Sequence, residues 1–169
     1  VFIAANDLRL QGNTVNVLAS ALPSSITGAG SITLHGNTTF NVADGPTAND
    51  LTLGVPVGNS GSRTLTKTGV GTLALTEPAT FAGPTTVSAG TLSLNGGKDT
   101  LPQAMAVSIS SGATLRLNNH DQALGGLTGN GNVELGYGAL TLTLTSTQTF
   151  GGVINGSPNG APPARLPCG

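Results

Sequence analysis

The sequence predicts an all-β fold, a right-handed parallel β-helix (β-solenoid) of about seven to eight coils. Two observations predict it. Pairs of aliphatic residues separated by one residue recur along the 169-residue chain, and turn signals rich in Gly and Asn stand between them. A repeat of about twenty residues is typical of proteins whose units are too small to bury an apolar face alone and therefore stack on their neighbours.

The aliphatic doublets are predicted to be strands. They follow one another at nearly even intervals along the chain. Alternation with period two places one side chain inward and the next toward solvent. Helices are not expected, because Thr, Val, Gly and Asn dominate over strong helix formers. The doublets are Leu8/Leu10, Ile32/Leu34, Leu51/Leu53, Leu73/Leu75, Leu92/Leu94, Leu115/Leu117 and Val133/Leu135.

Corners are predicted on both sides of most doublets. Gly69-Val-Gly71 and Gly129-Asn-Gly131 each precede one, and glycine adopts positive φ without a Cβ clash. Because Phe40 and Phe81 each stand at the same distance after the start of a doublet, we expect their rings at equivalent depths of the core. They belong to a second strand set, at Val15/Val17, Phe40/Val42, Val55/Val57, Phe81, Val87, Val107/Ile109, Leu124/Leu127 and Leu140/Leu142/Leu144.

Strand, corner, strand, corner is the order of a coil. Parallel connections strongly prefer the right-handed sense, and seven coils would form a rod about 35 Å long. An antiparallel sandwich is the competing fold, because it also combines short strands with frequent turns. We expect one solenoid domain over residues 1–156 and a proline-rich tail over residues 157–169. Stacked coils could also align side-chain amides into ladders, with Asn16, Asn37, Asn95, Asn118 and Asn132 as the candidates.

Composition argues against several kinds of partner. Charged residues make up only 8% of the chain, Trp is absent and the net charge is -1. Nucleic-acid binding is not expected, because the chain has no basic cluster and few aromatic stacking partners. No apolar run approaches the ~20 residues of a transmembrane helix. The single cysteine, Cys168, rules out an internal disulfide framework.

No catalytic, cofactor or metal site is expected, and the chain is predicted not to be an enzyme. The acidic residues are dispersed and are interpreted as solvated corners, whereas a glycosidase needs paired carboxylates. His35 and His120 fall on predicted corners, and apart from Asp121 beside His120 no Cys or acidic residue stands at metal-ligand spacing from them. The segment Asp44-Gly-Pro-Thr-Ala-Asn-Asp50 could offer oxygen ligands to calcium, but ordinary loop chemistry explains it.

Two stretches carry a family resemblance. Leu65-Thr-Lys-Thr-Gly-Val-Gly-Thr-Leu-Ala-Leu75, continuing through Thr80-Phe-Ala-Gly-Pro to Leu94, resembles the autotransporter-associated β-strand repeat of bacterial passenger domains. Residues 111–118 and 124–135 are similar to succeeding coils, so that the resemblance covers about residues 62–156. It implies a β-helix displayed on, or released from, a Gram-negative cell surface, with roles in adhesion, aggregation or scaffolding. It carries over no catalytic residue.

The ends of the solenoid suggest how the protein works. Monomeric repeat proteins usually cover their open ends with polar caps, but this chain opens with Val1-Phe-Ile-Ala-Ala5 and shows no amphipathic capping helix. We therefore predict copies that associate head to tail into an extracellular filament. The alternative is a monomeric passenger segment that binds a cell-surface or matrix ligand as an adhesin. The residues expected at the junction between copies are Val1, Phe2, Ile3, Leu166 and Cys168.

Overall fold

A computed structural model describes residues 1–3, 6–59 and 61–156. Every strand pair in these ranges is parallel, and none of the described residues is helical. The predicted all-β parallel solenoid is confirmed and the antiparallel sandwich is wrong, while the right-handed sense stays a prediction. Within the described ranges the strands are β1 (Phe2–Ile3), β2 (Leu8–Leu10), β3 (Asn13–Val17), β4 (Ser24–Gly28), β5 (Ile32–Leu34), β6 (Thr38–Val42), β7 (Leu51–Gly54), β8 (Val57–Asn59), β9 (Leu65–Thr68), β10 (Thr72–Leu75), β11 (Thr85–Val87), β12 (Thr91–Leu94), β13 (Ala106–Ile109), β14 (Thr114–Arg116), β15 (Gln122–Leu124), β16 (Gly126–Gly129), β17 (Asn132–Gly136), β18 (Leu140–Leu142) and β19 (Val153–Gly156).

The strands wind around three faces. Face A is an eight-stranded sheet in the order β1-β4-β7-β10-β12-β14-β17-β19, and face C is a six-stranded sheet in the order β16-β13-β11-β9-β6-β3. Face B contains β2-β5-β8 and β15-β18. Segments 79–81 and 100–102 connect its two parts, because Thr80 N–H donates to the Val57 carbonyl at 2.8 Å and Ala79 N–H to the Thr100 carbonyl at 2.7 Å. Each coil therefore passes through faces A, B and C, and β19 begins an eighth coil.

Glycine is required at corners where consecutive coils approach closely. Gly69 has φ of 72° and Gly129 has φ of 101°. A Cβ at Gly69 would lie 2.3 Å from the Val42 carbonyl oxygen, and a Cβ at Gly129 would lie 2.0 Å from that of Ile109. Any side chain there would push one coil away from the next, so these two predicted corner motifs are explained by coil spacing as well as by turning.

The interior is a continuous aliphatic core. On face A, Leu51, Leu73, Leu92, Leu115 and Val133 stand in register on successive coils. All five are 3% exposed or less. Such stacking buries each apolar side chain against its equivalents above and below, which confirms the predicted role of these doublets.

The predicted alignment of the early doublets is wrong. Ile32 stacks on Val57 of the following coil on face B, whereas Leu51 lies on face A and stacks on Ser24 of the preceding coil. The interval from Ile32 to Leu51 therefore joins two faces of the solenoid rather than equivalent positions on two coils. The face A strand of the second coil, β4, contains a single buried aliphatic residue, Ile26, so no doublet marks it.

The expected equivalence of the two phenylalanines is also wrong. Phe40 lies on β6 of face C, between Val15 and Lys67 of the neighbouring coils. Phe81 lies in segment 79–81 on face B, outside any strand. Both rings are fully buried. Their equal distance from the preceding doublet does not make them equivalent, because that doublet lies on face B for Phe40 and on face A for Phe81.

Side-chain amides form ladders at two places. Asn41 Nδ2 donates to Asn16 Oδ1 at 2.9 Å across β3 and β6, and Asn118 Nδ2 donates to Asn95 Oδ1. The predicted ladders are thus confirmed for Asn16, Asn95 and Asn118, and Asn41 is a rung that was not predicted. Asn37 instead accepts a backbone N–H from the next coil.

Candidate functional site

The described junction residues lie on the outermost coil. The Val1 side chain is exposed, its amino group donates to the Ser25 carbonyl at 2.6 Å, and its own carbonyl accepts Thr27 N–H at 2.9 Å. Phe2 and Ile3 form β1, the edge strand of face A, and pair with Thr27 and Gly28. Leu166 and Cys168 lie outside the described residues.

Exposed apolar side chains concentrate at the two ends of the rod. The most informative is Ile154 on β19, which is 46% exposed although its in-register neighbour Val133 is fully buried. All four residues of β19 are exposed. Among the described large hydrophobic residues that are exposed, only Val70 lies in the middle of the rod. The others are Val1, Leu18 and Leu22 near the first coil and Tyr137, Leu142, Leu144, Val153 and Ile154 in the last coils.

Corner carboxylates and amides connect consecutive coils. Each of five such side chains accepts a backbone N–H from the coil that follows. Among the three aspartates, Asp121 is exposed as predicted for an acidic corner and Asp99 is half-buried, whereas Asp50 is buried, so the prediction of a solvated corner is wrong for Asp50. These bonds satisfy donors that the ends of short strands would otherwise leave unpaired. The pairs are Asn37 with Thr64 at 3.1 Å, Asp50 with Thr72 at 2.8 Å, Asp99 with Ala123 at 2.8 Å, Asn119 with Tyr137 at 3.0 Å and Asp121 with Ala139 at 2.9 Å.

Asp50 is the most buried of these aspartates, with 6% exposure. Its Oδ1 accepts Gly45 N–H at 2.7 Å, while its Oδ2 accepts Thr72 N–H. Both carboxylate oxygens therefore hold backbone, one within the 44–50 loop and one at the start of β10. Among the described residues, no three His, Cys, Asp or Glu side chains converge as metal ligands would.

We expect Asp50→Ala to lower the free energy of unfolding by about 2 kcal/mol, because two backbone donors lose their acceptor. Asp44→Ala is the matched control, since Asp44 belongs to the same loop but is exposed. Urea unfolding followed by circular dichroism measures both. Equal losses in the two variants would show that the carboxylate of Asp50 does not hold the coils together.

Lys67 is a buried cation that the sequence analysis did not single out. Its side chain is fully buried on face C, in register with Phe40 and Val87. Nζ donates to the carbonyls of Thr68 at 2.7 Å, Gly69 at 2.8 Å and Ala89 at 3.2 Å. The signal that could have found it is the alternation of β9, in which Leu65 and Lys67 share the inward side.

The charge of Lys67 is opposed by its surroundings. Burial lowers the pKa of Lys67 from its ordinary value of 10.5 to about 8, and the carboxylate of Asp50 raises it in part. Of the three carbonyls that Nζ contacts, that of Thr68 lies at the end of β9, and those of Gly69 and Ala89 lie in corners between faces C and A. Lys67 therefore satisfies acceptors inside the rod at the cost of removing its ammonium group from water.

A cleft of about 430 Å³, lined by polar residues and glycines, lies on the outer side of the last coils. Arg116, Asn118, Asn119, Glu134 and Asn155 contribute to its wall, and we call it the C-terminal cleft. Arg116 Nε donates to Glu134 Oε2 at 2.6 Å, and both side chains remain partly exposed. These residues are far apart in the sequence, and the register of the coils brings them together.

The parallel coils and the shared aliphatic interior define the class of this protein as a β-solenoid repeat protein. Residues 65–94, which run from β9 to β12, match the passenger-associated-transport-repeat family. The repeat and the fold together fit an autotransporter passenger repeat domain, which confirms the predicted resemblance. Comparison with curated proteins and with solved structures gave no significant match. Within the described ranges, no helix has the length and apolarity of a membrane crossing.

Proposed function

We propose that this autotransporter passenger segment is a non-enzymatic structural protein that associates head to tail into a filament at the cell surface or in the extracellular matrix. The passenger-associated repeat implies a secreted or surface-exposed location. The observation that carries the assembly is the exposure of Ile154, which occupies a position that is fully buried one coil earlier at Val133. A further coil on β19 would bury it.

A second copy supplies such a coil. Among the described residues, the strands β1, β2 and β3 of the first coil each pair with a strand on one side only, and so does β19 at the other end. Because all strands are parallel, β1 of one copy can continue face A beyond β19 of another without reversing direction. Neither strand contains the charged residues that commonly protect sheet edges. Such a contact joins unlike surfaces and does not close, so it produces an open polymer.

Ile154→Asp tests this assembly. We expect the substitution to abolish filaments and large oligomers, because it places a carboxylate in the apolar junction. Sedimentation velocity and negative-stain electron microscopy over a range of protein concentrations measure the result. Thermal unfolding should change little, since Ile154 lies on an exposed edge strand.

The matched control is Val70→Asp, which changes another exposed aliphatic residue in the middle of the rod. This variant should still assemble. A wild-type protein that stays monomeric at every concentration, or an Ile154→Asp variant that assembles like the wild type, would contradict head-to-tail association through this end.

The C-terminal cleft favours a second function, in which a single passenger segment binds a surface or matrix ligand as an adhesin. The cleft combines a charged pair with several amides in one open site. Ligand-binding sites characteristically converge a few oriented polar groups in a concave surface. Saturable binding by a monomer would support this function independently of filament formation.

A further inference from the structure

The coil register assembles the C-terminal cleft from residues that are far apart in the sequence. Arg116 on β14 is in register with Glu134 on β17, which is in register with Asn155 on β19. Adjacent strands are ~4.8 Å apart, so the three side chains form a short polar column along the rod. Asn118 and Asn119 stand at the corner after β14, with φ of 50° and 69°.

The charges in the cleft balance each other. The bond from Arg116 Nε to Glu134 Oε2 leaves the terminal guanidinium nitrogens and Glu134 Oε1 for other partners. A charged ligand would have to compete with this pair. A neutral ligand that both donates and accepts hydrogen bonds could engage the two side chains together.

The cleft amides are held in place before any ligand arrives. Asn118 Nδ2 donates to Ser93 Oγ at 2.7 Å and to Asn95 Oδ1, which uses both of its hydrogens and leaves Asn118 Oδ1 as an acceptor. Asn119 Oδ1 accepts Tyr137 N–H at 3.0 Å, which leaves Asn119 Nδ2 as a donor. Side chains that are already ordered lose little conformational entropy on binding.

The side chain of Asn119 lies close to the backbone of Gly136 in the next coil. Gly136 has φ of 63°, and a Cβ there would lie 2.3 Å from Asn119 Oδ1. The next residue, Tyr137, keeps its side chain 57% exposed.

We infer that the C-terminal cleft binds a short neutral oligosaccharide. Sugar hydroxyls donate and accept, which matches the donors and acceptors left on Arg116, Glu134, Asn118, Asn119 and Asn155, whereas an apolar ligand would leave these groups unpaired. The volume of about 430 Å³ is adequate for a few sugar units. This inference rests on the proposed adhesin function and does not depend on head-to-tail assembly.

The test is a titration of ¹⁵N-labelled protein with cellotriose, maltotriose or triacetylchitotriose, with a heparin-derived oligosaccharide as the anionic probe. We expect at least one neutral trisaccharide to shift the amide signals of Asn119, Tyr137 and Asn155 saturably, with a Kd of about 1 mM or lower. Asn155→Ala should weaken that binding about fivefold, the effect of one lost hydrogen bond. The control Asn130→Ala changes an exposed asparagine outside the cleft wall and should bind like the wild type.

The other outcomes overturn the inference in distinguishable ways. Binding of the heparin fragment alone would identify an anion site, so the oligosaccharide assignment would fail while the adhesin function would stand. If Asn155→Ala binds a neutral trisaccharide as tightly as the wild type does, the sugar binds elsewhere on the rod and the inference fails. Absence of binding by every probe would overturn the inference and remove the observation that favours the adhesin function.

Discussion

Replacing Leu75 or Leu94 with Asp is expected to unfold the coils around the substitution. The two leucines are in register on β10 and β12, and each is 1% exposed. A carboxylate at either position would be buried among aliphatic side chains without a partner. We expect the free energy of unfolding to fall by more than about 4 kcal/mol, which approaches the entire stability of many domains.

Urea unfolding and amide hydrogen exchange measure this effect. Exchange should accelerate first in the substituted coil and its immediate neighbours, because each coil is stabilised mainly by the adjacent ones. Thr86→Asp is the control, since Thr86 is half-buried between Thr66 and Ser108 on face C. Unchanged stability in both leucine variants would show that these positions are not interior.

The stability of the wild-type protein should rise between pH 8 and about pH 10, and Lys67→Met should remove this rise. The pKa of Lys67 is about 8 in the folded protein against an ordinary value of 10.5. Between these values the unfolded chain binds more protons at this site than the folded chain, so the free energy of unfolding increases with pH. The increase from Lys67 is at most about 3 kcal/mol.

Urea unfolding at several pH values tests this sign. The difference between the wild type and Lys67→Met isolates Lys67 from other groups that titrate in the same range. Lys98→Met provides the control, because Lys98 is exposed and this variant retains Lys67; its profile should parallel that of the wild type. A constant difference between the wild type and Lys67→Met from pH 7 to about pH 10 would contradict a buried, destabilised ammonium group.

The fold could be predicted wherever burial enforces alternation. Leu73 and Leu75 mark β10 in the sequence, because the side of the strand that carries them contacts only the core and therefore requires apolar residues. The second coil lacks this signal, since β4 buries only Ile26. Coils also differ in length. The segment from Leu115 to its partner Val133 is much shorter than the segment from Ile26 to its partner Leu53. An even spacing therefore cannot by itself assign a doublet to a face.

The candidate sites depend on contacts between coils, which the sequence does not show. The residues around Asp50 are those of an ordinary loop. One of the hydrogen-bond partners of Asp50, Thr72, nevertheless belongs to the next coil. A lysine side chain is usually exposed to solvent, and only the position of Lys67 on the inward side of β9 indicates that it is buried. Ile154 resembles any core residue in the sequence, and its 46% exposure is visible only in the structure.

Every strand pair joins adjacent coils, so the rod can become longer or shorter by whole coils. Because β10 and β12 are in register, loss of residues 76–94 would join Leu75 to the corner that normally follows Leu94 and would leave the flanking faces aligned. Duplication of the same segment would lengthen the rod by one step. Unequal recombination can thus change the length of such a protein by whole coils while the remaining strands keep their register.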